Sequence, residues 1–303
     1  MRYLDKMIRV ETKNCPGCNK SEAVKEVSPE IDPLQNTPLL EKYWRGFYKD
    51  KIFFPYFRCN CGLLYNKDFF DNDSLEKLYS SMDDNIHGDV DSDNMTRDSY
   101  VKFIESLNLK TTISILEIGA DNGSFSKKLV EKFKPSKMDV VEPNTAMEPI
   151  LKEISTNNYK YINEINIDYK YDLIVAIHVM DHLTNLTDFM NRIKSLLKPK
   201  GYFIIIVHNE SSILAKILGK RWPAYCLQHP HLFNKKTLTS TMDIFEFNEV
   251  KIEDSINFFK FGYLIKHFFL AFFKIDIKVP NMFTIGLKLG NIISIYQKDS
   301  KGL

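Results

Sequence analysis

The run Ile115-Leu116-Glu117-Ile118-Gly119-Ala120-Asp121-Asn122-Gly123-Ser124-Phe125 constrains this chain more than any other feature. A short apolar segment closes on an acid and two glycines, then opens into Ser124 to Lys134, which reads as a helix. This pattern predicts the strand–turn–helix of a nucleotide-type site. Gly119 lets the backbone turn tightly off the strand, and Gly123 lets a ligand approach without meeting a Cβ. A second acid, Glu142, closes the next apolar run, Met138 to Val141. An acid at the tip of a second strand can bind both hydroxyls of a ribose. Together these features predict a nucleoside-containing cofactor.

The same residues narrow its chemistry. A dinucleotide fingerprint needs G-x-G-x-x-G so that a pyrophosphate can sit on the helix N-terminus. Here Asp121 holds the middle glycine position, and its charge would repel a pyrophosphate. Glu117, two residues before Gly119, can meet an ammonium group. A cofactor with a cationic amino-acid end and no phosphate satisfies both conditions, and S-adenosylmethionine is such a molecule.

From about Tyr100 to Lys298 the chain resembles the class I S-adenosylmethionine-dependent methyltransferases. Leu116 to Gly123 looks like their first motif, and Val141-Glu142-Pro143-Asn144 looks like their ribose-binding acid. The stretch Tyr171 to Leu183 looks like their fourth strand and its "-EHL" sequel, with Asp181 in place of Glu. Leu196-Leu197-Lys198-Pro199-Lys200-Gly201-Tyr202-Phe203 resembles the turn into the fifth strand. The resemblance implies cofactor contacts at Glu117, Gly119, Ala120, Asp121, Gly123, Glu142, Pro143, Asn163 and His178. Asp121 is shared with a subset that writes this turn "EIGSNDG", several of which act on sugars.

The N-terminal part carries a different signal. Cys15 and Cys18 form Cys-Pro-Gly-Cys, and Cys59 and Cys61 form Cys-Asn-Cys-Gly. Two close cysteine pairs in a cytosolic chain predict tetrahedral, structural Zn2+ rather than disulfides. The alternative is four unligated thiols or a partly degenerate site, since Cys-x-Cys is one residue short of the usual Cys-x-x-Cys. Gly17 and Gly62 are expected to relieve Cβ clashes in the knuckles, and Cys226 is expected only to pack. Arg58 to Tyr65, followed by Leu75-Glu76-Lys77-Leu78-Tyr79, resembles the zinc ribbon and helix preceding many methyltransferases of surface-glycan gene clusters. The expected organisation is a zinc-ribbon domain over 1–79, an acidic linker or lid over 80–99, and a methyltransferase domain over 100–303. The acids of the linker (Asp83, Asp84, Asp89, Asp91, Asp93) do not make a calcium loop. Asn94 stands where glycine is needed, and Tyr100 occupies the closing Glu position.

The expected fold is α/β, a seven-stranded, doubly wound, mostly parallel Rossmann-like sheet behind the small ribbon. Strands are expected at Ile113–Ile118, Met138–Val141, Tyr159–Ile162, Leu173–Ile177, Tyr202–Val207 and Asn248–Glu253. The last, antiparallel strand is sought in Phe283–Leu287 and Ile292–Gln297. Helices are expected at Tyr100–Leu109, Ser124–Lys134, Ala146–Ser155 and Leu186–Leu197, and after Leu238. The phenylalanine-dense stretch 256–275 predicts a helix with one thin polar stripe, Lys260, His267 and Lys274. It reads as a buried helix or part of a homodimer interface, with peripheral membrane contact as the sharper alternative.

In an open parallel sheet ligands bind beyond the carboxyl ends of the strands. His178 and His182 follow strand four, His208 follows strand five, and His229 and His231 sit in a later loop. His208 or His231 is expected as the general base, then His178 or His182. Trp222 and Tyr225 are candidates to stack on a sugar ring or simply to pack. The expected reaction is methylation of a small-molecule hydroxyl on a sugar or glycan precursor. Carbon methylation of a nucleotide-linked keto sugar, RNA methylation and a non-catalytic interaction role are the rivals. A net charge of +2 gives no basic footprint, so nucleic acid is not an expected partner. Met1 to Glu11 lacks the apolar core of a signal peptide, and no window reaches the ~18 apolar residues of a spanning helix. The expected location is cytoplasmic.

Overall fold

The computed structural model describes residues 8–35, 40, 44, 46, 50–80, 90–109 and 112–299. Seven strands form its central sheet: β1 (Ser114–Ile118), β2 (Lys137–Val141), β3 (Asn157–Tyr159), β4 (Tyr171–Ile177), β5 (Leu197–His208), β6 (Phe247–Asp254) and β7 (Asn291–Lys298). Their spatial order is β6-β7-β5-β4-β1-β2-β3. Strands β1 to β5 pair in parallel, and β7 lies antiparallel between β5 and β6. This is the Rossmann-like methyltransferase sheet expected from the sequence.

The unbroken apolar runs follow from burial on both faces. Ile115, Val140, Leu173 and Val175 pack under Tyr100, Ile104, Phe125 and Leu129 of two helices, Val90–Glu105 and Ser124–Phe133. Their neighbours Leu116, Ile174 and Ile205 point to the opposite face, against Phe189, Ile193, Leu238 and Met242. The alternation of two clusters along one strand is the period of the pleat.

Several expected boundaries move. The third strand ends at Tyr159 and gives way to a 3-10 turn at Ile162–Glu164. The helix expected over Ala146–Ser155 is a 3-10 turn, Thr145–Met147, followed by the short helix Glu148–Leu151. Residues 81–89, with Asp83, Asp84 and Asp89, lie outside the described residues. From Val90 onward the expected linker is helical. Asp91 and Asp93 are in its first turn, where acids are stabilised by the positive end of the helix dipole, and Asp93 pairs with Arg97 one turn on at 2.6 Å. Phe283–Leu287 does not supply the seventh strand. Thr284–Leu287 pairs instead with Asn257–Lys260 in a separate hairpin-like sheet.

That pairing shortens the phenylalanine-rich helix to Phe261–Phe273, and only Gly262 within it is buried. The expected buried helix is therefore a half-exposed one, with Phe268 50% and Phe273 58% exposed. Lys274 ends it in a left-handed turn and reaches Glu30 and Asp50. No described helix is long and apolar enough to cross a membrane.

The N-terminal region is tied into the large sheet's core rather than hanging beside it. Its four-stranded sheet runs Ala23–Val27, Tyr56–Cys59, Leu64–Asn66 and then His231–Leu232, a strand donated from far downstream. Cys15, Cys59, Leu63 and Tyr65 share one apolar cluster with Phe233, Leu238 and Met242. Arg58 bridges the two regions, holding Glu26 at 2.7 Å and Glu210, after β5, at 2.8 Å.

Candidate active site

The turn after β1 is built as a cradle. Gly119 has φ +73°, and a Cβ there would lie 2.8 Å from Cγ2 of Val179. Gly123 also has φ +73°, but its Cβ would strike Ile154 and Leu151. Close packing of the following segment thus requires this glycine. Glu142 closes the cradle: its two carboxylate oxygens accept the backbone N–H of Asp121 at 2.7 Å and of Asn144 at 2.9 Å. Each oxygen keeps a lone pair that a ribose hydroxyl can use. Burial raises the Glu142 pKa, opposed by those two N–H donors.

Glu117 is 1% exposed, and its carboxylate accepts a hydrogen bond from the Ser126 hydroxyl. Burial raises its pKa to about 7, against the opposing pull of Ser126 and Arg97. A buried acid so disposed gains strongly from a neighbouring cation. Ala120 is buried, Pro143 is exposed, and Asn163 is exposed on the 3-10 turn that follows β3. Because β3 runs parallel beside β2, Asn163 follows the same sheet edge as Glu142.

Beside the cradle lies a group of four histidines and one acid. His178 follows β4 with φ +51°, and Val179, its neighbour, is the residue that crowds Gly119. Asp181 is fully buried. Its Oδ2 accepts from Nδ1 of His208 at 2.5 Å and from the His208 backbone N–H at 3.1 Å, with His178 Nδ1 at 3.7 Å. Burial pushes the Asp181 pKa up, but His208 and His178 outweigh it and hold it well below the usual range. His208 falls to about 4, through burial and the nearby His178, against the attraction of Asp181. At neutral pH it is an uncharged imidazole with Nδ1 protonated, so Nε2 is its basic nitrogen.

The second histidine pair extends this group. Nε2 of His229 lies 3.0 Å from Nε2 of His182, and Nδ1 of His229 donates to the Ala224 carbonyl at 2.7 Å. Burial lowers the His229 pKa, but Cys226, 3.3 Å away, outweighs it and raises it to about 9. His182 is held well below its ordinary value by burial and by His229. His229 is thus the donor and His182 the acceptor of their shared proton.

His182, His208, His229 and Cys226 line one end of a cavity of about 780 Å³ that also receives Trp222 and Asn291. His231 is not there. It is 1% exposed, paired with Tyr65 in the N-terminal sheet, and its pKa falls to about 4 through burial. The structure separates the two leading base candidates, with His208 at the cavity and His231 in the core. Tyr225 stacks on Phe53 at 5.5 Å, whereas Trp222 lies with its ring centroid 6.2 Å from that of His208. Asp181, which in the sequence only replaces a motif Glu, and Cys226, expected only to pack, both belong to this group. A carboxylate three residues after His178, across from the end of β5, was the available signal.

The cysteine pairs do meet. The four Sγ atoms of Cys15, Cys18, Cys59 and Cys61 lie within 4.8 Å of one another, with Cys15–Cys61 at 3.6 Å and Cys18–Cys59 at 3.4 Å. These separations exceed the ~2.05 Å of a disulfide. They approach the roughly 3.8 Å edge of a tetrahedron with 2.3 Å metal–sulfur bonds. Gly62 takes φ +94°, as the knuckle requires, while Gly17 shows no such strain.

A family model described as "Methyltransferase domain" matches residues 95–252 of this chain. Among curated proteins, the ubiquinone biosynthesis O-methyltransferase of Rickettsia bellii (strain OSU 85-389) is 26% identical over 154 residues, covering 47% of this chain and 63% of that protein. The malonyl-[acyl-carrier protein] O-methyltransferase 1 of Ilyobacter polytropus is 32% identical over 111 residues, covering 31% of this chain and 41% of its own length. The chain thus spans less than two thirds of either relative. Among solved structures, the N-methyltransferase NodS from Bradyrhizobium japonicum WM9 in complex with S-adenosyl-l-homocysteine has a TM-score of 0.47 at 14% identity, covering 74% of this chain and 96% of that one. A S-adenosylmethionine-dependent methyltransferase from Clostridium acetobutylicum has a TM-score of 0.47 at 13% identity, covering 70% and 93%.

Proposed function

The chain belongs to the methyltransferase-domain family, and on that footing we propose that it transfers a methyl group from S-adenosylmethionine to a hydroxyl of a sugar or glycan precursor. When bound, S-adenosylmethionine supplies an electrophilic methyl group on a sulfonium. The Gly119–Gly123 turn would receive its amino-acid end, with the buried Glu117 carboxylate answering the ammonium. Glu142 would take the ribose hydroxyls, with Ala120, Asp121, Pro143, Asn163 and His178 around them.

The observation that carries oxygen methylation is the Asp181–His208 pair at 2.5 Å: His208 lines the cavity, and Val179, two residues before Asp181, crowds the cradle at Gly119. Asp181 holds Nδ1–H, so Nε2 of His208 can accept the acceptor's hydroxyl proton as the new bond to carbon forms. Positioned proton transfer is worth roughly 100- to 10,000-fold when the base's pKa lies near the operating pH, and His208, at about 4 in the empty site, belongs at the low end of that range. The His229 ring lies beside the base, its centroid 4.6 Å from that of His208. Trp222 offers an aromatic wall for a sugar ring beside the base. His178 serves the cofactor side of the group.

We also assign Cys15, Cys18, Cys59 and Cys61 to a structural Zn2+ in an N-terminal ribbon that shares its core with Leu238 and Met242. The first test is calorimetry with S-adenosylhomocysteine. It should bind, and Gly119→Arg or Glu142→Ala should weaken it by about tenfold or more, ~1.4 kcal/mol. Wild-type protein that binds NAD and ignores S-adenosylhomocysteine would overturn the proposal.

A further inference from the structure

The cavity extends well past the histidines, and its composition there is specific. Its walls come from the helix Ile213–Leu218 and the half-exposed helix Phe261–Phe273, through side chains such as Leu214, Leu218, Leu264 and Leu270. Among the described residues no aspartate or glutamate lines it, yet Lys51 and Arg221 do. Lys51 is 4% exposed, and its ammonium donates to the Gly46 carbonyl. Neither basic side chain has a carboxylate within 4.0 Å among the described residues; Arg221 instead lies over the Phe272 ring at 5.6 Å. The position of Lys51 is informative. Its charge bears on Cys226, next to His229, and on His267 of the apolar helix.

A buried ammonium with no carboxylate in contact among the described residues is costly, and burial pulls the Lys51 pKa down to about 8, despite the more distant charges of Cys226 and Glu30. An anion seated beside it would remove that cost. Apolar walls on the far side would at the same time take a hydrocarbon chain out of water, at about 0.8 kcal/mol per buried CH₂. The mouth is apolar as well, with Phe268 and Phe269 both lining the cavity and reaching solvent.

We propose that the cavity binds an anionic amphiphile, with a phosphate-type head group at Lys51 and Arg221 and a hydrocarbon chain along the helix Phe261–Phe273. The acceptor hydroxyl then lies on the head-group side, at His208. The place of the hydroxyl rests on the methyl-transfer reading above; the binding of the amphiphile does not. The acceptor is therefore a sugar carried on a lipid phosphate rather than a free sugar.

Calorimetry with dodecyl phosphate below its micelle concentration tests this, with dodecan-1-ol and inorganic phosphate as comparisons and S-adenosylhomocysteine as the control. Dodecyl phosphate should bind at least tenfold more tightly than either comparison. Lys51→Met should bring it to the level of dodecan-1-ol, and Leu264→Asp should weaken both chain-bearing probes. S-adenosylhomocysteine affinity should not change in either variant. If Lys51→Met fails to fold, as loss of S-adenosylhomocysteine binding would reveal, Arg221→Met and Leu264→Asp carry the test. Inorganic phosphate binding as tightly as dodecyl phosphate would mean a free-phosphate site and overturn the proposal. So would dodecyl phosphate binding that ignores Lys51, Arg221 and Leu264, or no binding at all. Wild-type protein that binds dodecyl phosphate but not S-adenosylhomocysteine would sink the methyl-transfer reading and leave this one standing.

Discussion

His208 gives two hydrogen bonds to one oxygen of Asp181, from Nδ1 at 2.5 Å and from its own backbone N–H at 3.1 Å. The first sets the tautomer of the ring. The second fixes the end of β5 against the turn that follows β4. A single buried carboxylate therefore decides which nitrogen of His208 is basic and where that nitrogen can point.

Asp181→Asn can offer an amide N–H where the carboxylate accepted one, favouring the opposite tautomer. With the acceptor in hand, turnover should fall roughly 100-fold while S-adenosylhomocysteine affinity barely changes. Asp181→Glu keeps the acceptor and should retain most of the rate. His208→Ala should lose about as much as Asp181→Asn, and combining them should add little, because they act as one unit. Full turnover in Asp181→Asn would refute the base assignment.

Cofactor affinity should depend on pH through Glu117. Its pKa of about 7 belongs to the ligand-free site, and an ammonium beside it favours the ionised form. Binding then releases a proton near neutrality, so affinity should rise from pH 6 to pH 8. Calorimetry in buffers of different ionisation enthalpy reads the proton directly. Glu117→Gln should abolish the release, and a wild-type affinity flat across that range would count against the contact.

Acid stability should report on His231 rather than on catalysis. Its pKa falls from 6.5 to about 4 on folding. Between those values the unfolded chain holds a proton that the folded chain does not, so stability drops as pH falls through that window. Denaturant titrations at pH 7 and pH 5 should show the loss, with His208 adding to it in the same direction. His231→Leu should flatten the dependence, and turnover of this variant at pH 7 should stay close to wild type.

Metal analysis of protein purified without added zinc should find about one ion per chain. Cys15→Ser combined with Cys18→Ser should remove it. Because Cys15 and Cys59 share a core with Leu238 and Met242, the whole unfolding transition should move to lower temperature, rather than one early N-terminal step. A separate early transition would show that the ribbon folds on its own.

Local patterns alone determined the cofactor half of this protein. The glycines at 119 and 123, the acids at 117 and 142 and the doubly buried strands are written as short motifs whose spacing maps onto local geometry, although the residues that crowd those glycines, Val179, Leu151 and Ile154, lie further along the chain. The paired cysteines were legible for the same reason. What the tertiary structure decided lies between segments far apart in the chain. It took His231 away from the site by pairing it with Tyr65, across more than half of the chain. It joined Asp181 to His208, brought Cys226 to His229, and buried Lys51 in the same cavity as the helix Phe261–Phe273. The helix itself came out shorter and more exposed than its composition implied, because Asn257–Lys260 found a strand partner in Thr284–Leu287. Periodicity reports which face of an element is apolar, but not what that face meets. The partner of a buried charge is chosen only when distant strands close on one another.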